Sequence, residues 1–276
     1  MKLLILGSAG QIGMALKAYC DLNAINTIEF DITRTNGEDL RVTNNRLLYQ
    51  RVAEADLVVF LAYDVGGARY LSSKQKQFSF ISNNALIMEC TFQALSRTEK
   101  PFIFASSQMA GISCSPYGAL KSVGEHYTQS LGGIVVRLWN VYGVESDKEK
   151  SHVITDFLQM AHKHKSIDMM TDGAESRQFL HVEDCSRSLV TLAEQYNNIP
   201  RDKELHIASG KWNTILEVAE IISNLFPDTS INPSKAKDSV QNNSLIAPDP
   251  YIEKYWKPTI SLYEGIKRVA KEMKLL

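Results

Sequence analysis

The fold of this 276-residue chain is decided by its N-terminal stretch, Lys2-Leu3-Leu4-Ile5-Leu6-Gly7-Ser8-Ala9-Gly10-Gln11-Ile12-Gly13. The first five of these residues form an apolar run that is typical of a buried strand, and the pattern GxxGxxG follows at once. A helical pattern then occupies residues 11–20. A strand, a glycine turn and a helix in this order predict a sheet whose parallel strands alternate with helices.

The same alternation continues along the chain. Strands are predicted at residues 2–6, 27–30, 56–62, 101–106 and 134–139, and helices at residues 84–95 and 117–131. Beyond residue 143 we predict short strands at 167–170, 178–182 and 206–209, helices at 214–226 and 260–274, and a loop at 232–250. The expected fold class is α/β, a doubly wound parallel sheet with helices on both faces. Residues 1–143 and parts of 178–209 would form this domain, and about 144–177 and 210–276 a smaller substrate-binding lobe.

Composition narrows the range of partners. The net charge is -1, with no long basic run, which argues against nucleic acid, because phosphate binding needs an excess of Lys and Arg. No segment approaches the roughly 18 apolar residues of a membrane span, so no membrane partner is expected. The four cysteines are scattered without a CxxC pair, which favours reduced thiols and a cytoplasmic location.

The glycine pattern predicts a site for a dinucleotide pyrophosphate. Gly7 would permit a tight turn, Gly10 a close approach of the pyrophosphate, and Gly13 close packing of the helix on the sheet. Gln11 and Ile12 open that helix, whose N-terminal N–H groups and dipole attract phosphate. We expect these five residues to bind the cofactor.

Asp31 ends the second predicted strand, 24 residues after Gly7. A carboxylate at this place accepts both ribose hydroxyls of NAD and repels the 2′-phosphate of NADP. The alternative is an ordinary turn residue, because Asp also favours strand ends. Arg34 follows three residues later and could pair with a 2′-phosphate, so NAD is favoured and NADP stays open.

Tyr117 and Lys121 lie four residues apart on a predicted helix, hence on one face. Tyrosine normally ionises near pH ~10, and a neighbouring ammonium together with the positive nicotinamide ring would favour its phenolate. Lys121 would also hydrogen-bond the nicotinamide ribose. Ser107, at the end of a strand, would hold the substrate hydroxyl or carbonyl. These three residues predict a hydride-transfer centre.

Together these motifs resemble the extended short-chain dehydrogenases/reductases, often called NAD-dependent epimerase/dehydratases, which act on nucleotide sugars. The resemblance runs over most of the chain and implies a Rossmann fold. It implies that Asp39 and Leu40 contact the adenine. It also implies that Leu61 and Ala62 end the strand that passes under the cofactor.

Three further residues are candidates for substrate binding. The resemblance implies that Asn84 faces the site from its helix, and that Asn140, in the segment RLWNVYG at 137–143, reaches the nucleotide sugar. Residues 177–184, RQFLHVED, are similar to a family motif whose arginine often contacts the diphosphate. The planar fork of Arg177 suits phosphate oxygens, the alternative being an ion pair with Glu175 or Glu183. His181 reads as structural, and no metal site is predicted.

Some positions depart from the family. Dehydratases tend to carry an Asp-Glu pair directly after the catalytic Ser, where this chain has Gln108 and Met109, so a dehydratase is disfavoured. Relatives that epimerise beside a ketone carry a Cys where Met109 stands, and Cys114 would substitute only if the loop folded back. Only ten residues separate Ser107 from Tyr117, as in smaller 4-ketoreductases. The usual second phosphate-binding Arg is not found within residues 232–250.

The leading hypothesis is reversible hydride transfer at C4 of a nucleotide sugar by a 4-epimerase. The alternative is an NAD(P)H-dependent reductase of 4-keto-6-deoxysugar nucleotides, which the short loop before Tyr117 favours. A catalytically silent NAD(P)-binding sensor and a plain alcohol or steroid dehydrogenase are weaker alternatives. The resemblance also implies a homodimer in which helices around residues 84–95 and 117–131 pack together.

Overall fold

The computed structural model describes residues 1–112, 114–145, 147–238 and 247–276. The strands are β1 (Lys2–Leu6), β2 (Asn26–Phe30), β3 (Leu57–Phe60), β4 (Phe102–Ser107), β5 (Ile134–Leu138), β6 (Val141–Tyr142), β7 (Ser166–Asp168), β8 (Ser176–Arg177), β9 (Leu180–His181), β10 (Leu205–Ile207), β11 (Asn213–Thr214) and β12 (Ser230–Asn232). The α-helices are α1 (Gln11–Leu22), α2 (Arg46–Glu54), α3 (Ala68–Lys74), α4 (Phe78–Thr98), α5 (Pro116–Ser130), α6 (Val153–His164), α7 (Val182–Glu194), α8 (Ile215–Leu225) and α9 (Leu262–Glu272). Short 3-10 helices occupy Gln108–Gly111, Tyr196–Asn198 and Pro250–Lys254.

The central sheet is parallel and doubly wound, as predicted. Its strand order is β2-β1-β3-β4-β5-β10, so the chain leaves β1 in one direction to form β2 and then crosses to the other side to form β3. This reversal opens a crevice at the carboxyl ends of β1 and β3, where open α/β sheets bind their ligands. The glycine stretch after β1 lies at this crevice.

The strands β1 and β3 are almost wholly apolar because helices cover both faces of the sheet. Leu3 and Ile5 of β1 belong to the core cluster that includes α1 and α7, whereas Leu4 and Leu6 belong to the cluster that includes α2 and α4. Residues alternate between faces along a strand, so a strand buried on both sides must be apolar at every position. This is why the run at 2–6 was readable as a parallel strand.

A second cluster of buried residues lies in the later part of the chain. It joins α6, β7, α8 and α9, with Phe157, Ile167, Val218 and Ile266 among its members. The separate core supports the expected smaller lobe, and the predicted boundaries near residues 143, 178 and 209 remain a proposal. β10 returns to the central sheet, which fits the expectation that the lobe is interrupted by elements of the main domain.

Several predicted elements differ from the observed ones. The helix expected at 84–95 is the longer α4, which begins at Phe78. The strand expected at 178–182 is wrong in extent: only Leu180–His181 is strand, and Val182 begins α7. The helices α2, α3 and α7 were not predicted, and of α6 only its end at His162 and His164 was. Part of the loop expected at 232–250 lies outside the described residues. Among the described residues, no helix combines the length and the apolar content needed to span a membrane.

Candidate active site

The glycine stretch forms the floor of a cavity of about 350 Å³ at the crevice of the sheet. Gly7 has a φ of +89°, and a Cβ there would lie 2.7 Å from the backbone nitrogen of Ala62. A Cβ at Gly13 would lie 2.1 Å from the carbonyl oxygen of Gly7. These two glycines therefore bring β1, β3 and α1 together, while Gly10 lines the cavity as the N-cap of α1. The first N–H groups of a helix lack partners within the helix and suit an anion.

The next two residues of this stretch have separate side-chain roles. Gln11 donates a hydrogen bond from Nε2 to the carbonyl oxygen of Gly143 at 3.3 Å, which ties the start of α1 to the segment after β6. Ile12 packs against the core cluster under α1. Both residues lie in the first turn of α1, where backbone N–H groups suit a bound anion.

Two carboxylates lie at the end of β2. Asp31 lines the cavity, and its Oδ2 accepts a hydrogen bond from the backbone N–H of Ala9 at 3.1 Å. Glu38 is buried in the same wall and accepts from the backbone N–H of Asp31 at 2.8 Å. Arg34 is paired with Glu29 at 2.8 Å and with Glu38 at 3.5 Å. A 2′-phosphate would meet two acids here, which favours NAD over NADP. Glu38 was missed in the sequence.

The far wall of the cavity contains the predicted Asp39-Leu40 pair. Leu40 is buried and offers an apolar surface, with Ile87 of α4 also in the lining. Asp39 is held by Arg41 through Nε at 2.9 Å and Nη2 at 2.8 Å. This pairing lowers the pKa of Asp39. Arg41 lines the cavity too and was not predicted.

Leu61 and Ala62 follow β3 and line the cavity from below. The backbone N–H of Leu61 donates to the carbonyl oxygen of Leu6 at 3.0 Å, which extends the pairing of β1 and β3 beyond the strand ends. Both residues lie where the sequence predicted. The next residue, Tyr63, turns its ring edge-on to Tyr117, with ring centroids 5.7 Å apart. The floor of the cavity therefore leads directly to the predicted reacting centre.

Three consecutive residues of β4 hold three side chains of α5. The carbonyl oxygen of Ala105 accepts a hydrogen bond from Nζ of Lys121 at 2.6 Å. The hydroxyl of Ser106 donates to Oε1 of Glu125 at 2.5 Å. The Ser107 hydroxyl, which accepts from the N–H of Met109 at 3.1 Å, acts on the Tyr117 hydroxyl and lowers its pKa. The structure thus brings Ser107, Tyr117 and Lys121 together.

The start of α5 is fixed by its own sequence. Ser115 is the N-cap and accepts a hydrogen bond from the N–H of Gly118 at 3.2 Å, and Pro116 occupies the first turn, where its missing N–H has no cost. The Ser115 hydroxyl also donates to Oε1 of Gln75 at 2.8 Å. A Cβ at Gly118 would lie 2.2 Å from the carbonyl oxygen of Met109, so glycine lets the helix approach β4 closely.

Burial controls the charges of this centre. Lys121 is 4% exposed, and burial lowers the pKa of its ammonium to about 7, against an opposing effect of Glu125. Burial raises the pKa of Tyr117, and the hydrogen bond with Ser107 partly offsets this. In the protein without cofactor, the phenol is therefore neutral at pH 7. A positive group beside Tyr117 is needed to favour its phenolate.

A buried ion pair lies behind the centre. Glu125 accepts two hydrogen bonds from Arg137 of β5, from Nε to Oε1 and from Nη2 to Oε2, each at 2.8 Å. Arg137 reaches Glu204 at 2.8 Å through its other terminal nitrogen. The sequence interpretation missed this pair, although Glu125 follows Lys121 by one helical turn.

The predicted substrate residues have different surroundings. Asn84 is fully buried; its Oδ1 accepts from the N–H of Asp64 at 2.7 Å, and its Nδ2 donates to the carbonyls of Asp64 and Phe80 at 3.0 Å. Both N–H bonds of its amide are thus used within the chain. Asn140 accepts at Oδ1 from Nε2 of Gln108 at 3.0 Å. Asn84 therefore fixes the turn at Asp64, and Asn140 lies beside the end of β4.

Arg177 forms an ion pair with Asp238, and both side chains are largely buried. It also donates to the carbonyl oxygen of Ser176 at 2.8 Å. The partners considered from the sequence, Glu175 and Glu183, bind other groups, Thr171 and Arg268 respectively. The guanidinium of Arg177 is thus already matched to an acidic group.

The remaining sequence expectations concern residues near β4 and α7. Gln108 is bound to Asn140, and Met109 is buried against Tyr117. Cys114 is exposed. His181 is buried and caps α7 by accepting from the N–H of Glu183 at 3.3 Å, a structural role. Within the described ranges, no three His, Cys, Asp or Glu side chains form a group suited to a metal ion.

Comparison with known proteins gives consistent matches. Residues 3–208 match the family described as NAD dependent epimerase/dehydratase. A protein of Methanocaldococcus jannaschii, provisionally named UDP-glucose 4-epimerase, is 32% identical over 171 residues, which cover 58% of this chain and 53% of that protein. The dTDP-L-rhamnose 4-epimerase of Burkholderia thailandensis is 29% identical, covering 55% of this chain and 44% of its own. The chain spans about half the length of the curated relatives it matches.

Solved structures share the fold over the whole chain. An epimerase of Methanothermobacter thermautotrophicus superposes with a TM-score of 0.85 at 20% identity, covering 99% of this chain and 92% of the other. A GDP-6-OMe-4-keto-L-xylo-heptose reductase of C. jejuni gives 0.82 at 18% identity, covering 99% and 97%. Both an epimerase and a reductase therefore share this architecture.

Proposed function

Because this chain belongs to the NAD dependent epimerase/dehydratase family, we propose that it transfers a hydride reversibly at C4 of a nucleotide sugar and acts as a 4-epimerase. The observation that carries the proposal is the set of contacts between β4 and α5, which brings Ser107, Tyr117 and Lys121 together beside the cavity. This arrangement supplies proton transfer at one hydroxyl and a hydrogen bond to the same oxygen.

The cavity residues fit NAD, the cofactor of this family. Gly10 and the start of α1 would hold the pyrophosphate, Asp31 and Glu38 the adenosine ribose, and Leu40 the adenine. Bound NAD would supply a hydride acceptor and a positive ring at the site. That ring would lower the pKa of Tyr117 and so favour its phenolate.

The chain's own residues would move the proton. The Tyr117 phenolate would take the proton of the C4 hydroxyl as C4 loses its hydride, and the Ser107 hydroxyl would hold the resulting carbonyl oxygen. In an epimerase the hydride returns to the other face of C4 while Tyr117 gives its proton back. Lys121 would stabilise the phenolate through its charge.

Two neighbours of Ser107 support this reaction over water loss. Elimination of water needs an acid and a base next to the sugar. Gln108 has no titratable proton and is bound to Asn140 at 3.0 Å, and Met109 is buried and apolar. Neither position offers the carboxyl group that a dehydration requires.

For the substrate, we propose that Asn140 contacts the sugar nucleotide and that Arg177 contacts its diphosphate. Arg177 would exchange its partner Asp238 for phosphate oxygens or bind both at once. Its five N–H donors permit either arrangement. Asn84 would contribute indirectly, by fixing the turn at Asp64. The diphosphate assignment is what separates this proposal from a plain alcohol or steroid dehydrogenase.

The second candidate is an NAD(P)H-dependent reductase of 4-keto-6-deoxysugar nucleotides. The short segment between Ser107 and Tyr117, which begins with a 3-10 helix at Gln108–Gly111, favours it. The enzyme should be incubated with a panel of nucleotide sugars without added cofactor, and products separated by chromatography. Interconversion of C4 epimers supports the epimerase. Turnover only when stoichiometric NAD(P)H is supplied would reject the epimerase in favour of the reductase. Absence of turnover both without added cofactor and with NAD(P)H would favour a sensor.

We further propose that the protein is a homodimer through α4 and α5. Phe78 is 85% exposed, and Leu86, Val123 and Tyr127 are exposed apolar side chains on these two helices. Helices that pack together would cover this surface. Light scattering should give twice the chain mass, and Val123→Glu should shift it to the monomer. A wild-type monomer at micromolar concentration would overturn this proposal.

A further inference from the structure

A segment from the later part of the chain, residues 147–151, crosses the rim of the cofactor cavity. Its Lys150 lines the same cavity as Gly7 and Gly10, which form the pyrophosphate end. Neither the glycine motif nor the reacting centre includes this residue. Lys150 is therefore a cation at the cavity with no role in the function proposed above.

The backbone of this segment is fixed by close contact with the loop after β3. The N–H of Gly67 donates to the carbonyl oxygen of Lys150 at 2.9 Å. A Cβ at Gly66 would lie 2.9 Å from Cα of Lys150, and a Cβ at Gly67 would lie 2.3 Å from the carbonyl oxygen of Ser151. Two glycines thus allow the loops at 64–67 and 148–151 to touch, and we call these two loops the clasp.

Side chains fasten the clasp on both sides. Nζ of Lys150 lies 2.8 Å from Oδ1 of Asp64, which also accepts from the hydroxyl of Tyr70 at 2.8 Å. The backbone N–H of Asp64 is in turn held by Asn84. Beyond the rim, Arg69 pairs with Asp156, which is bound to Ser151. The ammonium of Lys150 is therefore held at the rim of the cavity.

The cavity lining holds more carboxylates than cations, so a bound dianion needs this ammonium to offset their repulsion. The lining holds the carboxylates of Asp31, Glu38, Asp39 and Asp64 but only two cations, Arg41 and Lys150. Arg41 binds both oxygens of Asp39 and donates from Nη1 to Oδ1 of Asn83 at 3.3 Å, so three of its five donors are in use. Lys150 is 36% exposed at its side chain, and an ammonium has three donors, of which Asp64 takes one. Beside the carboxylate of Asp64, Lys150 therefore keeps two donors for a further anion.

We propose that Lys150 is a ligand of the cofactor pyrophosphate and that the clasp presents it there. This inference rests on the proposed function only as far as NAD binding, and not on the identity of the sugar. An ammonium that joins a carboxylate and a phosphate stabilises both charges through strong charge-assisted hydrogen bonds. The clasp would hold the cofactor through successive turnovers, as reversible epimerisation requires.

The test is calorimetric binding to the full chain freed of cofactor, with NAD, ADP and adenosine as probes. Lys150→Met should weaken NAD and ADP at least about tenfold, since a hydrogen bond between charged groups is lost. Adenosine, which has no phosphate, should bind as before. The matched control Lys148→Met removes an exposed lysine of the same segment and should change none of the three affinities. An NAD affinity of Lys150→Met within about twofold of wild type would overturn the proposal, as would an equal loss for adenosine.

A second variant tests the clasp itself. Gly67→Ala places a methyl group against the carbonyl of Ser151 and should push the segment outward, with the same selective loss for NAD and ADP. Unchanged affinity for these two ligands in a folded Gly67→Ala protein would show that the backbone contact does not present Lys150. Because no step of this test needs a sugar, wild-type NAD binding without any turnover would reject the proposed reaction and leave this inference standing.

Discussion

The ammonium nitrogen of Lys121 lies 3.8 Å from the centre of the Tyr63 ring. The ring face carries partial negative charge and stabilises a nearby cation, an effect of ~2 kcal/mol when water is excluded. The carbonyl of Ala105 gives Lys121 a direct hydrogen bond at 2.6 Å. The ammonium thus has an aromatic face and a carbonyl as close partners. Both partners favour the charged form, whereas burial lowers the pKa of Lys121 to about 7, which suits a group that responds to charge changes at Tyr117.

Replacing Tyr117 by Phe should lower turnover by about 10²–10⁴-fold, because it removes the proton donor and acceptor of the reaction. NAD affinity should stay within about threefold, since the ring and its contact with Tyr63 remain. Steady-state kinetics and calorimetry measure the two effects. The control is Tyr63→Phe, whose hydroxyl is buried without a hydrogen-bond partner in the described chain. Equal losses in both variants would contradict the roles assigned here.

Replacing Lys121 by Met should abolish activity and change how stability depends on pH. The pKa of Lys121 is lowered from 10.5 to about 7, so between these values the unfolded chain binds more protons than the folded one. Wild-type stability therefore rises relative to Lys121→Met as the pH increases from about 7 toward 10.5, by about 1 kcal/mol per pH unit. The difference in Tm between the two proteins at pH 7, 8 and 9 measures this dependence of relative stability on pH. Lys148→Met is the surface control, and a flat difference for Lys121→Met would refute the burial argument.

Replacing Asn84 by Ala should lower the free energy of unfolding by about 2–4 kcal/mol, because three buried hydrogen bonds to backbone groups are lost. Denaturant unfolding measures the loss. NAD affinity should also fall, since the turn at Asp64 carries one end of the clasp. Ser82→Ala, two residues earlier on α4, is the control for both measurements. If Asn84→Ala altered only the Michaelis constant for the sugar, with stability unchanged, the direct substrate contact expected from the sequence would be right instead.

The pair of Glu125 and Arg137 should show strong coupling in a double-mutant cycle. Arg137→Met alone leaves a buried carboxylate without its partner and should cost about 3–5 kcal/mol of stability. Adding Glu125→Gln removes that charge and should recover a substantial part of the loss. Urea unfolding of the four proteins gives the coupling energy. Additive effects would mean that the pair contributes little beyond its separate contacts.

The sheet was readable from the sequence because its strands are buried on both faces. Such strands are apolar at nearly every position: β3 and residues 3–6 of β1 are continuous apolar runs, and β4 is apolar up to its two final serines. Short helices with few apolar positions gave no comparable pattern. α2 has only nine residues, of which only Leu48 and Val52 are buried. α7 was missed because its first residue continues the apolar stretch of β9.

The grouping of the three proposed catalytic residues was predictable from the sequence because it depends on local spacing. Tyr117 and Lys121 share a helix face, and Ser107 ends a predicted strand. Contacts across the fold were not readable in the same way. The partner of Arg177, Asp238, lies 61 residues away, and Asn84 meets the backbone of a turn 20 residues earlier. One sequence does not show which backbone group faces a buried amide.

The contacts between β4 and α5 have a consequence for how such proteins diversify. The contacts from Ala105 to Lys121 and from Ser106 to Glu125 span only 16 and 19 residues, and none involves the later lobe. Closing so short a loop costs little entropy, so the chemical centre is built by one local unit of the chain. Under the proposed function, mutations in the lobe would alter which sugar is accepted without moving the groups that break and make the bond to hydrogen. New specificities can accumulate on an unchanged reaction.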